Sequence, residues 1–435
     1  MKKTNKTEKK QNLFTRDIDF EKILYKKYIP YFIFFTLMIF LHVAGYTHFG
    51  DDYIVKGILK DTVWDELRQI FSICDGWSSR YLINPPIHVM MHFDYKVWLV
   101  FEILMCMLLF DGIRKLCFDT TTVSALYIMM SLLFVFPLEI AVSVGWVVTS
   151  MTYIWTSVSA VYGCMTIKKC FKGEKINWYM YLVYILLTLF AANKEELSVM
   201  LTIVLGTAVV LAVKNKKQCL ILIIQFVAAL VSIFVHLFSS NNQARYEELS
   251  VKRALNYTAF DKLIIGVSAT LRRVIFEHDF VFICAILVCA IAVWKKCGSK
   301  LPKVLSVVLI LGWLIAGRVE AASDIVVIVF GCIAVLGLLV CLYYLYGVSD
   351  KFVMLAAVIV GAFAGRVTVG FGASAWSGYE RTYTFLYYAL IAVSTVVLCD
   401  TWKELKCKEK KAVAVGLAII GILGIGQDVI MLEIV

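Results

Sequence analysis

Charge is scarce in this chain. Of its 435 residues, 17% are charged, against about 25% in soluble globular proteins. Proline is scarcer, at five residues, so the apolar runs go almost uninterrupted. There are 13 cysteines, yet no CxxC pair and no Cys/His metal spacing occurs. What fills the chain is apolar: hydrophobic residues make up 61% and mean hydropathy is +0.80. These proportions exclude a soluble domain, a disordered chain and a β-barrel porin. They fit an all-α, polytopic helical membrane protein, in which each span needs about 20 apolar residues.

A net charge of +11 would suggest nucleic acid as the partner of a soluble protein. Here the positive residues fall in short clusters between apolar runs, and no RNA- or DNA-binding motif accompanies them, so no nucleic acid is expected. The cysteines sit mostly inside apolar runs or beside basic loops, which reads as packing rather than a disulfide framework. Membrane lipids are the obligatory partners.

Apolar runs lie at about 30–47, 96–113, 121–138, 151–167, 177–192, 197–213, 218–238, 280–294, 303–317, 324–346, 352–370, 382–399 and 412–431. This predicts about 13 transmembrane helices. Residues 1–29, with Lys2, Lys3, Lys6, Lys9, Lys10, Arg16, Lys22, Lys26 and Lys27, read as a cytoplasmic basic tail, and 30–435 as a single transmembrane domain. With the N-terminus inside, the alternate loops RKLCFD (114–119), KKCFKGEK (168–175), KNKKQ (214–218), KKCGSKLPK (295–303), VSDK (348–351) and DTWKELKCKEKK (400–411) become cytoplasmic. All but VSDK are basic, which is how orientation is encoded, and the C-terminus is then outside. The expected location is the cell (plasma) membrane, multi-pass. Tyr81–Phe93, broken by Pro85 and Pro86, is too short to span and reads as re-entrant or interfacial.

Two outer segments are long, at about 48–95 and 239–279, and function is sought there. The first opens with His48-Phe49-Gly50-Asp51-Asp52-Tyr53. Adjacent carboxylates raise each other's pKa unless a cation compensates, which suits a general base or a metal site; the other reading is a helix N-cap. Further on come Trp77-Ser78-Ser79-Arg80: an Arg beside aromatics at a membrane surface can hold a phosphate, or simply anchor in the interfacial belt. His88 and His92, four apart, have metal-ligand spacing, but polar contacts account for them as well. In the second segment, Leu255, Phe260, Leu263, Ile264, Val267 and Leu271 have helical spacing and suggest an amphipathic lid.

The run HFGDDY…DGWSSRYL resembles the GT-C superfamily of membrane glycosyltransferases. More closely, it resembles an uncharacterised family of bacterial polytopic proteins related to the Gtr-type O-antigen glucosyltransferases. The resemblance continues in order through Thr152-Tyr153-Ile154-Trp155, Asn193-Lys194-Glu195-Glu196 and Glu380-Arg381-Thr382-Tyr383. It implies a GT-C-like fold with outer-face loops and interfacial helices. It also implies an inverting transfer of sugar from a polyprenyl-phosphate-linked donor to a cell-surface glycan or lipid-linked acceptor on the outer face. Such chemistry needs a base on the attacking hydroxyl, cations on the leaving phosphate and a groove for the lipid chain. Asp52 or Asp51 is the expected catalytic base, with Asp52 slightly favoured. The expected donor-phosphate and substrate residues are Arg80, Trp77, Arg272, Arg273, Arg381, Arg366, Tyr153, Trp155, Glu195 and Glu196. The resemblance fixes no cofactor; the adjacent carboxylates Asp51 and Asp52 permit a divalent metal (Mg or Mn) without requiring one. Arg366 lies inside an apolar run, where a cation is expensive unless paired.

Two other readings use the same residues differently. An O-antigen-type polysaccharide polymerase or ligase would rely on Arg272, Arg273 and His278. A lipid-linked sugar flippase or transporter would break a span at Gly361, Gly365, Gly370 and Gly372, but no matching half is present.

Overall fold

The computed structural model describes residues 26–45, 50–68, 79–119, 121–137, 140, 145–239, 257–277, 280–316, 323–372 and 380–432. Among them every regular element is helical, and each of the apolar runs falls on helix. The first helix among the described residues, α1, is Tyr28–Gly45. Three short helices follow between the first two long helices: α2 (Asp51–Ile58), α3 (Val63–Arg68) and α4 (Asn84–Met91). Tyr81–Phe93 thus contains a short helix with Pro in its first turn, where the missing N–H costs nothing.

The chain continues through α5 (Tyr95–Cys117) and α6 (Val123–Leu133). Helix α7 starts at Val147–Ser150, passes through a π-helical turn at Met151–Trp155 and resumes as Thr156–Gly163, with α8 (Met165–Lys172) directly after it. Then come α9 (Trp178–Ala192), α10 (Glu195–Lys214) and α11 (Leu220–Phe238). The last group is α12 (Ala259–Leu271, then a π turn at Arg272–Phe276), α13 (Phe280–Lys296), α14 (Lys300–Ala316), α15 (Asp324–Tyr346), α16 (Asp350–Val367), α17 (Thr384–Trp402) and α18 (Cys407–Leu432).

Five of these segments are long and apolar enough by themselves to cross a bilayer: Glu195–Lys214, Leu220–Phe238, Asp324–Tyr346, Asp350–Phe371 and Glu380–Trp402. A sixth arises if Ala259–Phe276 and Phe280–Lys296, bent by 68°, form one span. Tyr28–Val43, Val123–Leu133 and Trp178–Ala192 are apolar but shorter. Length and composition therefore give a helical membrane protein, with five or six clear crossings among the described residues.

Helix starts follow local chemistry. Asp94 Oδ1 accepts from the Lys96 N–H at 2.9 Å to open α5, and Thr258 and Asp261 form a reciprocal capping box on α12. Thr258, the last residue of an Asn-Tyr-Thr sequon, is thereby engaged in a cap. Gly173 ends α8 in the left-handed region at φ 69°, which only glycine adopts without strain.

Helix α17 is the centre of the bundle: 83% of its apolar window is buried, against 50% or less for the other four spans. The α10–α16 crossing is set by glycine. A Cβ on Gly365 would lie 2.4 Å from the Glu196 carbonyl oxygen, and one on Gly361 3.1 Å from that of Met200. Small residues four apart let the two backbones touch. Gly361 and Gly365 thus lie inside a continuous helix, and Gly370 in the 3-10 turn after it, where it lets Lys262 and Gly266 of α12 approach. The expected amphipathic segment is α12; its second half, with Gly266, Ser268, Thr270 and Leu271, is buried, while Phe260 and Leu263 stay exposed.

Candidate functional site

Two charged clusters occupy the end of the bundle where α2, α7, α10 and α17 begin. The first joins the acidic pair to the late Glu-Arg-Thr-Tyr element. Asp51 Oδ2 lies 3.0 Å from Arg381 Nη1, with the two side chains 41% and 17% exposed. The contact bridges α2 and the start of α17, so a charge early in the chain meets one 330 positions later. Its neighbour Asp52 is buried and does something different. Its Oδ1 accepts from Val148 N–H at 2.9 Å and its Oδ2 from Val147 N–H at 3.2 Å. Asp52 therefore caps the first turn of α7 from another helix, satisfying two donors that a helix start leaves open.

The acidic pair fits a shared cation poorly. Asp51 faces an arginine and Asp52 faces backbone N–H groups, so the two carboxylates have separate partners. No step is derived through a metal on this pair.

The second cluster is built by Asn193 and Lys194, which link α9 to α10, and by Glu195 and Glu196, which open α10. Asn193 Oδ1 accepts from Leu82 N–H at 2.7 Å and Ile83 N–H at 3.2 Å, which holds the start of α4 against this corner. Arg80 reaches Glu195 with its Nε and Nη2 at 3.3–3.4 Å. Lys194 is 2% exposed; its Nζ donates to Glu195 at 2.9 Å and to Glu196. The same ammonium stands 5.1 Å from the centre of the Tyr153 ring. Burial alone would lower the pKa of Arg80, but Glu195, Tyr153 and Glu196 together outweigh it and hold the guanidinium firmly charged. Lys194 likewise is pulled down by burial and up, more strongly, by Glu195 and Glu196.

Aromatic rings connect the clusters. Tyr153 stacks on Phe385 at 5.5 Å, one helical turn after Arg381. Tyr383 stacks on Tyr387 at 5.8 Å, and its hydroxyl donates to the Ala269 carbonyl at 2.9 Å. Arg366, 3% exposed, lies over the Tyr383 ring at 4.0 Å. Its Nε and the Glu196 Oε1 are buried polar atoms without a hydrogen-bond partner among the described residues. A buried guanidinium with an open donor is costly, and such groups mark sites that receive something else.

Beneath this corner an apolar cavity of about 550 Å³ opens between α5, α7, α8, α10, α16 and α17. Leu197 and Phe385 line its upper end, and Lys168, Lys172 and Lys351 line the opposite end. It follows α7 and α8 from Ser157 to Lys172, about 20 Å at 1.5 Å per residue.

The remaining expected residues separate. Arg273 pairs with Glu277 at 3.2 Å, and both act electrostatically on the Tyr383 phenol, so Arg273 borders the site. Arg272 turns away to Asp324 at 3.1 Å. Trp155 points down into the bundle, donating to Glu102 Oε2 at 2.7 Å. Trp77 and His278 lie outside the described residues. His88 and His92 face one oxygen each of the buried Glu66, at 3.4 Å and 3.7 Å. Burial lowers the His88 pKa despite that carboxylate.

Sequence reasoning missed Glu66, His236 and the central place of Lys194. His236 contacts Ser79 Oγ at 2.7 Å and the Ala192 carbonyl at 3.0 Å; nothing in its own span signals that. The signal for Lys194 was present, a cation beside two acids between adjacent apolar runs. The chain matches no protein-family model, no curated protein and no solved structure.

Proposed function

We propose that this protein transfers a sugar from a polyprenyl-phosphate-linked donor to a cell-surface glycan or lipid-linked acceptor at the outer face of the membrane, in the manner of a GT-C glycosyltransferase. About thirteen crossings, with the N-terminus inside, belong to this reading. The observation that carries it is the Asp51–Arg381 pair, a carboxylate beside a cation at the junction of the first outer segment and the central helix. Asp51 is the base of the two acids, because it keeps solvent access while both oxygens of Asp52 hold backbone donors. It takes the proton of the acceptor hydroxyl as that oxygen attacks the anomeric carbon. Arg381, Arg366 and Arg80 stabilise the charge that grows on the departing phosphate. Glu195 and Glu196 hold Lys194 and Arg80 in place. The apolar cavity suits the lipid chain, since its upper end lies against Leu197 and Phe385, next to the charged corner.

The test is the surface glycan profile of cells carrying Asp51→Asn. Loss of the modification at unchanged protein abundance is expected, with turnover down about 100-fold or more. A wild-type profile would remove Asp51 from the chemistry.

A further inference from the structure

A second set of polar side chains lies inside the bundle, away from both charged clusters. His42 of α1 meets Glu102 and Cys106 of α5, the latter two being one turn apart on one face. One ligand atom from each lies within 4.8 Å of the others. The closest approaches are 4.0 Å from His42 Nε2 to Glu102 Oε1 and 3.8 Å from Cys106 Sγ to the same oxygen. Glu102 is fully buried, Cys106 is 5% exposed, and the His42 side chain is 11% exposed.

The outer shell is arranged as metal sites arrange it. His42 Nδ1 lies 2.7 Å from the Met38 carbonyl oxygen. That oxygen can only accept, so the proton is on Nδ1 and Nε2 faces Glu102 as a lone pair. Glu102 Oε2 receives the Trp155 indole N–H at 2.7 Å, which leaves Oε1 aimed at His42 and Cys106. Backbone carbonyl to imidazole and indole to carboxylate are the contacts that fix ligand tautomer and direction. Among the described residues no Lys or Arg pairs with Glu102, and the neutral His42 imidazole stands 4.0 Å from it.

We propose that His42, Glu102 and Cys106 bind one zinc-class divalent transition-metal ion. The mixed nitrogen, oxygen and sulfur donors suit zinc better than magnesium or calcium, which take oxygen. The carboxylate and the thiolate together balance the 2+ charge in a buried site. Binding deprotonates the Cys106 thiol, and the proton leaves to solvent. Three protein ligands leave a fourth position for water or a further ligand. Glu102 lies seven residues into α5, about 10 Å along the helix from Tyr95. A cavity of about 220 Å³, lined by Asp94, Met90, Met91 and Trp98, lies at that end of α5. One of its lining residues, Trp98, has its ring 6.3 Å from the His42 ring.

The experiment is metal analysis of the full-length protein purified in detergent, followed by cobalt titration. About one zinc per chain and a thiolate-to-cobalt charge-transfer band are expected. Cys106→Ser should abolish the band, and His42→Ala or Glu102→Gln should cut the zinc content. Trp155→Phe should weaken cobalt about 10- to 100-fold, as loss of an outer-shell contact does. Asp51→Asn and Cys164→Ser should bind as wild type does. A folded, monodisperse wild-type protein with neither zinc nor the cobalt band would overturn the proposal, as would a band that survives Cys106→Ser. The wild-type result stands even if a variant fails to fold.

Discussion

Two adjacent aspartates follow the first apolar run, and the structure gives them different work. Asp51 meets a guanidinium at 3.0 Å; Asp52 is consumed by two backbone donors at the start of α7. The sequence made both plausible as base or as cap, because it cannot tell which of two neighbours points at a helix start. The expectation slightly favoured Asp52; burial and bonding favour Asp51. Substitutions should separate the roles. Asp52→Asn removes a charged cap on a helix N-terminus, which costs about 1–2 kcal/mol. It should lower the melting temperature of the purified protein, whereas Asp51→Asn should leave melting unchanged. Equal melting of both variants would count against the division.

At the scale of elements, helix positions were legible because apolar runs and helices are the same signal in a membrane. The helix contacts were not. GAFAG at 361–365 looks equally like a broken span or a packing face, and the difference lies in the partner. The carbonyl of Glu196 settles it by standing where a Cβ on Gly365 would go, at 2.4 Å. This crossing holds Glu196 against the helix that carries Arg366, so a glycine seam positions two charged side chains. Gly365→Ala should destabilise the fold by about 1–3 kcal/mol through forced backbone separation. Gly312→Ala, where nothing lies within 4 Å, should be neutral or stabilising. Thermal unfolding in detergent compares them, and an unperturbed Gly365→Ala would mean the seam can open freely.

For the whole molecule, most of the excess positive charge lies in the N-terminal tail and the loops between alternate apolar runs, and in the proposed topology these segments are cytoplasmic. Cys407, exposed at the start of α18, lies in a segment this orientation makes cytoplasmic. A membrane-impermeant maleimide should label it only after cells are permeabilised; labelling on intact cells would invert the topology. That topology puts Asp51, Arg80, Arg381 and Lys194 on the outer face, over a cavity of about 550 Å³ with lysines at its far end. The central claim is that this corner moves a sugar off a lipid phosphate, with Asp51 and Arg381 acting on one step. The direct measurement is turnover of a labelled polyprenyl-phosphate sugar by the reconstituted protein, for wild type, Asp51→Asn, Arg381→Gln and the double variant. The account predicts acceptor-dependent turnover by wild type. It also predicts a large loss in each single variant and a double variant no worse than the poorer single, because residues that act as a unit are not additive. No turnover by folded wild-type protein across polyprenyl-phosphate sugars, or wild-type turnover by Asp51→Asn, would contradict it.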